Sequence, residues 1–270
     1  MAEVPEVETI VRDLQIAVVG REIVGAEVLL PEAVRFPAPD EFCALLAGRR
    51  VAGAERRSKH ILMPLDGHLL LAVHFMLWGT LALVSSERPR VPETLVIFKL
   101  NGDEDLRLLD KLGYARAALG TPTEVIERLD LESLGPDALD PAFSVAVLAN
   151  RVGKRRGVLK TVLLNQRVIS GLGNRDADES MWLARLDPRR SAVSLMPDEF
   201  ARLYEGICTV LYEGLELRGT QADLFGKRGG ARHRRYVFER TGQPCPRCGT
   251  PIAHLRIGGR NTHFCPTCQQ

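Results

Sequence analysis

Residues 240–269 read RTGQPCPRCGTPIAHLRIGGRNTHFCPTCQ, and the four cysteines in this stretch frame the reading of the whole chain. Two residues lie between Cys245 and Cys248 and two between Cys265 and Cys268, and sixteen residues separate the pairs. Each knuckle can put two thiolates on one ion, and two knuckles complete a closed tetrahedral shell of the kind that holds structural zinc. A closed shell leaves no position for a substrate. The expected role of a single Zn2+ is therefore to fold a segment too small to bury a core of its own. Iron in a rubredoxin-like site is the alternative this spacing leaves open. Cys43 and Cys208 lie in apolar runs, FCALLAG and GICTVLY, and are expected as buried small side chains, not as a bridge.

The cysteine module sits in the most basic part of the chain. From Gly226 to Gln270 there are nine Lys or Arg residues and one acid, Glu239, a net +8; the preceding 225 residues carry −6. Arg256 and Arg260 lie between the knuckles, with Arg232, Arg234, Arg235 and Arg240 just upstream. A basic tail on an acidic body points to a local polyanion site, and guanidinium groups on a rigid hairpin suit phosphate oxygens. A solvated basic face and a protein-binding ribbon are the other readings of the same residues. The composition, 45% hydrophobic and 26% charged, is that of an ordinary globular protein. No apolar run approaches the roughly 18–20 residues that cross a bilayer, and no basic-then-apolar leader opens the chain. A cytoplasmic location is expected.

Further toward the N-terminus the texture changes twice. From about Thr123 the periodicity is helical, in PAFSVAVLANRV, GVLKTVLLNQR, ADESMWLARL and PDEFARLYEGICTVLYEGLELRG, with turns such as ISGLGN between them. From about Glu22 to Leu119 short β-rich runs alternate with Gly and Asp-Gly breaks, as in antiparallel strands of a sandwich or barrel. Val7, Ile10, Val11, Leu14 and Val18 recur at helical spacing behind Pro5, which fits a helix start. The expected division is 1–121 for the β-rich domain, 122–225 for the helical domain, and 226–270 for a flexible basic loop and the cysteine module.

Three separated stretches resemble one family. MAEVPEVET at the N-terminus is similar to the opening of formamidopyrimidine-DNA glycosylases and endonuclease VIII proteins; ISGLGNRDADES resembles their helix-two-turn-helix signature; the cysteine stretch resembles their zinc finger, Arg260 included. RRSKHILMPLDG and HFMLWGTL are weaker matches in the same order. The resemblance implies an α+β protein: an N-terminal helix with an antiparallel β-sandwich, then a helix-two-turn-helix domain and a four-cysteine zinc finger. It implies a monomer that works on damaged or abasic duplex DNA, nucleoid-associated when bound, with the target nucleotide flipped from the stack. The activity implied is release of oxidised bases with abasic-site lyase chemistry. A monofunctional glycosylase and a non-catalytic damage-binding protein on the same scaffold are the alternatives.

The family's residues carry over position by position. Ala2 stands where the family has its nucleophilic proline; it permits methionine removal and exposes a primary α-amine, with a reference pKa of about 7.7–8.0, able to form an imine. Glu3 matches the acid/base glutamate, Glu6 a second glutamate at the helix start, and Lys59 the lysine of a DNA-facing hairpin. His74, Asn174 and Arg260 match DNA-binding positions. Leu77, Asp110 and Leu112 fall where the family fills the hole left by the flipped base with Met, Arg and Phe. Leucines can still wedge, but a carboxylate at 110 cannot donate to a base and repels phosphate, an effect Lys111 offsets in part. Trp78, where the family has a small residue, is expected in the core, with a stacking surface as the other reading. Asp176 replaces the signature's tyrosine.

Overall fold

A computed structural model describes residues 2–270, which form two compact units. One runs to Glu132 and takes back the later segment Arg218–Gly229; the other comprises Ser133–Leu217 and Gly230–Gln270.

The first unit opens with helix α1 (Val4–Ala17), with Pro5 in its first turn as its fixed φ favours. Val7, Ile10, Val11 and Leu14 are buried, so the helical period does place one apolar face in the core. Two antiparallel sheets follow. One has the order β2-β1-β7-β8-β6, from β1 (Glu22–Val28), β2 (Arg49–Arg50), β6 (Thr80–Ser85), β7 (Thr94–Leu100) and β8 (Glu104–Leu109). The other has the order β3-β4-β5-β9, from β3 (Glu55–Arg57), β4 (His60–Leu65), β5 (Leu69–His74) and β9 (Arg116–Gly120). Strand β4 alternates strictly, with Ile61, Met63 and Leu65 buried, which is how a two-residue period fills a sandwich core. A short helix, α2 (Pro39–Leu46), interrupts the β-rich region. Phe42 and Leu46, four residues apart, are its buried face. Helix α3 (Pro122–Arg128) closes the unit's first segment, with Thr121 capping it through Glu124 N.

The returning segment is anchored on buried acids of α1. Arg218 donates to both carboxylate oxygens of Asp13, at 2.8 and 2.7 Å, and to Asp223 at 2.8 Å. Glu6 accepts from the backbone N–H and hydroxyl of Thr220, both at 2.8 Å. Gly219, at φ +70°, lets the chain pass close over Glu6, since a Cβ there would lie 2.8 Å from Glu6 Cγ. The Gly226 region expected as flexible is a closed turn. Asp223 N donates to Lys227 O, and the Asp223 carboxylate accepts from Phe225 N and Lys227 N.

The second unit packs α4 (Val145–Val152), α5 (Leu159–Leu163), α6 (Asn174–Leu183) and α7 (Pro197–Glu216) with the hairpin of β10 (Ala253–Ile257) and β11 (Arg260–Phe264). Helix α6 is buried from Asn174 to Trp182 although it carries Asp176, Asp178 and Glu179. Its charges are therefore satisfied from within. Asp178 pairs with the fully buried Lys160 at 2.6 Å and accepts the His263 backbone N–H at 2.9 Å. Glu179 accepts three successive backbone N–H groups, Tyr236, Val237 and Phe238, at 2.8–3.1 Å. No helix among the described residues is long and apolar enough to cross a membrane.

Removing one member of a buried ion pair strands the other. Asp178→Ala is expected to cost the C-terminal unit about 3–5 kcal/mol, measured by urea unfolding of a Trp78→Phe background in which Trp182 alone reports. Lys160→Met added to Asp178→Leu should recover part of that loss.

Candidate nucleic-acid interface and metal centre

The β10–β11 hairpin brings the two cysteine knuckles together. Their four Sγ atoms lie within 4.8 Å of one another, with Cys245 and Cys268 at 4.0 Å and Cys248 and Cys265 at 3.5 Å. Zn–S bonds of about 2.3 Å at tetrahedral angles separate sulfurs by about 3.8 Å, so these residues fit one zinc ion and leave no coordination position open. Backbone N–H groups of Arg247 and Cys268 point at Cys245 and Cys265 sulfurs, as thiolate sites require. Trp182 Nε1 donates to Cys245 Sγ at 3.4 Å; its ring stacks on Tyr236 at 4.5 Å and carries the Arg247 guanidinium over one face at 4.1 Å. The sequence reading missed Trp182. Its signal was its place on the helix that starts at the signature asparagine.

Asn174 opens α6 behind Gly173, which offers no side-chain cap, and is itself buried at the helix start. Asn174 Nδ2 and Lys160 Nζ both donate to Asn261 O, at 2.9 and 2.8 Å, fixing the finger's turn to the helix start. Arg260, the neighbour of Asn261, is exposed on that turn. Asp176, expected as a replacement for a signature tyrosine, is buried and accepts from Arg175 Nε at 2.8 Å. Burial pushes the Glu179 carboxyl above its ordinary pKa, opposed by hydrogen bonds from Phe238, Tyr236 and Val237.

In the first unit Ala2 and Glu3 are both buried, and Met1 lies outside the described residues. Glu6 accepts the Glu3 backbone N–H at 2.9 Å, so Glu6 serves both the helix start and the returning segment. Glu8 binds Arg56 at 2.9 Å, and Arg56 Nη1 donates to Ser58 O, which ties α1 to the hairpin turn that carries Lys59. Strand pairing sets His60 opposite His74 and His74 opposite Arg116. A cavity of about 420 Å³ opens here, lined among others by Arg35, His60, His74, Met76 and Arg116. His74 is thus half-buried on a cavity wall, not enclosed in the core.

Burial lowers His74 to about 3, with His60, Lys59 and Arg35 adding repulsion, and lowers His60 to about 4 through burial and Arg35. Both rings are neutral at pH 7. His74 Nδ1 accepts from Met76 N at 3.0 Å, so the neutral ring carries its proton on Nε2, a donor and not a cation.

Four residues depart from expectation. Asp110 does not face outward: it is buried, and its carboxylate accepts the N–H groups of Leu112, Tyr114 and Ala115 at 2.8–2.9 Å. An acid at a turn start collects backbone donors that would otherwise be unsatisfied, which explains a carboxylate that makes no sense against phosphate. Trp78 is 58% exposed and lies outside the core. Cys43 and Cys208 are half-buried. Leu77 and Leu112 are exposed on neighbouring loops.

A β-sandwich unit and a helical unit stapled by a four-cysteine ribbon, with cations on exposed turns of both, define a zinc-finger protein of the nucleic-acid-binding class. Comparison with known proteins narrows the class. The model of the formamidopyrimidine-DNA glycosylase N-terminal domain matches residues 1–117, that of the corresponding H2TH domain residues 134–225, and that of the zinc finger found in FPG and IleRS residues 242–270. The formamidopyrimidine-DNA glycosylase of Pelotomaculum thermopropionicum is 39% identical over 100% of this chain and 99% of its own length. That of Moorella thermoacetica is 42% identical over 95% of each. The Lactococcus lactis Fpg crystallised with abasic-site DNA superposes with a TM-score of 0.93 at 29% identity, with 100% of both chains covered. The chain belongs to the formamidopyrimidine-DNA glycosylase family.

Two outcomes test these sites. Chelating the zinc should shift Trp182 emission and abolish tight DNA binding, since the hairpin carrying Arg260 loses its staple. Lys59→Ala should lower the salt slope of log K for DNA by about one, whereas His74→Ala weakens binding at unchanged slope between pH 6 and 8. The same histidines set an acid limit. Their folded pKa values lie below the unfolded value of about 6.5, so their contribution to stability is full above pH 6.5 and is lost as pH falls toward 4 and then 3. His60→Gln/His74→Gln should flatten that part of the stability–pH curve.

Proposed function

We propose that this chain is a DNA repair glycosylase that releases oxidised or otherwise damaged bases from duplex DNA and cleaves the strand at the resulting abasic site. The observation that carries the reading is that family models match nearly the whole chain in order, with full-length relatives at 37–42% identity over 95–100% of it. In this reading residues 1–121 perform the chemistry, while 122–225 and the finger within 226–270 hold DNA. The protein acts as a monomer on nucleoid DNA.

After loss of Met1, the Ala2 amine attacks C1′ of the flipped nucleotide. The N-glycosidic bond breaks as the base leaves with a proton, and Glu3 protonates the sugar ring oxygen so that the ring opens to an imine. Loss of a C2′ proton then expels the 3′ phosphate. Lys59 neutralises phosphate and assists base departure; His74 donates a neutral hydrogen bond to phosphate through Nε2. The first turn of α6 at Asn174 and the exposed Arg260 hold phosphates. Support for this assignment comes from the family match of Glu3, Lys59, His74, Asn174 and Arg260, with Ala2 standing at the family's proline position, and from the turn chemistry that holds Lys59 beside α1 and His74. The closed four-thiolate site takes no part in the reaction; its zinc holds the hairpin that presents Arg260.

Borohydride with abasic-site duplex should give a covalent adduct that peptide mapping assigns to residue 2. Ala2→Pro should keep the adduct, and Glu3→Gln should lower base release at least 100-fold. Base release without any adduct would make the protein a monofunctional glycosylase in which Glu3 activates water. No base release and no adduct across a lesion panel would refute the catalytic reading.

A further inference from the structure

A crevice of about 720 Å³ opens in the second unit between the end of α6, the start of α7 and the cysteine knuckles. Its lining sets Arg185, Arg190, Arg202 and Arg247 against one carboxylate, Glu199. Like charges crowded into a concave site repel one another and focus a positive potential, so the fold must hold them there. Arg247 Nη1 donates to Trp182 O at 3.1 Å and Arg202 Nε to Ala184 O at 3.2 Å, which caps the carbonyl end of α6. Arg190 donates to Glu199 at 2.9 Å and to Ser194 O at 3.1 Å. Arg185, exposed just past the helix, makes no side-chain hydrogen bond or ion pair among the described residues.

The anchored guanidiniums are pre-organised and still open. Arg247 places one N–H on Trp182 O and lies 4.1 Å from the centre of the Trp182 ring, which leaves most of its five donors available. A fork held in this way takes a carboxylate in two parallel bonds with little further loss of freedom. The edge of the crevice is apolar: Met196 is 60% exposed, its N–H bonded to Glu199 Oε2 at 2.9 Å, and Val193 is exposed on the same connection. Arginine and methionine together mark protein-binding surfaces, whereas a phosphate backbone makes no use of an apolar edge. The volume is that of a pocket for a compact ligand, about 300–1,000 Å³, which admits a few side chains but not a duplex. The crevice also stands apart from the residues assigned to phosphate. The ten residues of α6 put about 15 Å between Asn174 and the helix's far end. The five residues of β11 put about 17 Å between Arg260 and the Cys265–Cys268 knuckle.

We propose that this crevice is a docking site for an extended acidic segment of a partner protein, whose carboxylates pair with Arg185 and Arg247 while one bulky apolar side chain rests on Met196. The chemistry that recognises the partner is a short run of Asp or Glu beside a residue the size of Leu or Phe. The arginines of the crevice are not the ones assigned to phosphate, so docking and DNA binding occur together. The site is built from the second unit's own residues and does not depend on the catalytic reading.

The test uses the full-length, zinc-loaded protein and the peptide Gly-Asp-Asp-Leu-Asp-Asp-Phe, labelled with fluorescein and followed by anisotropy. The peptide should bind saturably and weaken as salt rises from about 50 to about 200 mM. In a Trp78→Phe background the unlabelled peptide should shift Trp182 emission, since it engages the guanidinium stacked on that ring. Arg185→Glu should weaken the peptide about tenfold or more, while Arg185→Lys and Met196→Ser each cost about threefold. The unfolding midpoint and the affinity for undamaged duplex should stay at the wild-type values in all three. Saturating duplex should leave peptide binding unchanged. No saturable binding, or equal binding by Arg185→Glu, would overturn the proposal. Displacement of the peptide by duplex would overturn it by making the crevice part of the DNA track. Self-association of the free protein that Arg185→Glu abolishes would overturn it in favour of a second copy of the chain.

Discussion

Asp178 and Glu179, adjacent carboxylates on a helix with no exposed face, hold the C-terminal unit together. Asp178 joins Lys160 on α5 to His263 on the zinc hairpin, and Glu179 gathers the N–H groups of the segment leading into the finger. Each charge is buried and each is met by partners that bear on a different part of the chain. Buried charges tolerate no vacancy, because an unpaired one costs several kcal/mol. The pairings therefore specify one arrangement of α5, α6 and the finger, within which the zinc and Trp182 complete the staple.

The same device recurs in the N-terminal unit. Glu6 and Asp13 on α1 receive the returning segment through Thr220, Arg218 and Leu224. Asp110 organises the 110–115 turn and Asp223 closes the turn at Gly226. In each case an acid accepts backbone donors that irregular chain cannot satisfy by itself. The 110–115 and 223–227 turns are thereby held from inside, which leaves Leu112, Tyr114 and Phe225 on their outer faces.

These inward-facing acids were the hardest residues to read. A carboxylate in DKLG looked like a defect in a DNA-facing position because nothing local reveals which way it points. Its direction follows from the crossing of β8 into β9 and the three N–H groups that the turn leaves open. Trp78 misled in the opposite sense, since large apolar side chains usually lie inside, and only the side-by-side passage of two loops puts it at the surface. The α2 helix was missed although Pro39, two acids and the Phe42–Leu46 pair announced it, because it sits within a run of strands.

What the sequence determined by itself was whatever depends on near neighbours. Four cysteines in paired spacing define a metal shell, an apolar face at helical period defines α1, alternation defines β4, and contiguous motifs define the family. Tertiary structure alone decided the pairings across long separations: Arg218 with Asp13, 205 residues apart, and His263 with Asp178, 85 apart. The physical reason is that periodicity and ligand spacing are properties of a short stretch of chain. Whether a charged or aromatic side chain turns inward depends instead on which distant donors, acceptors and loops the fold delivers to it.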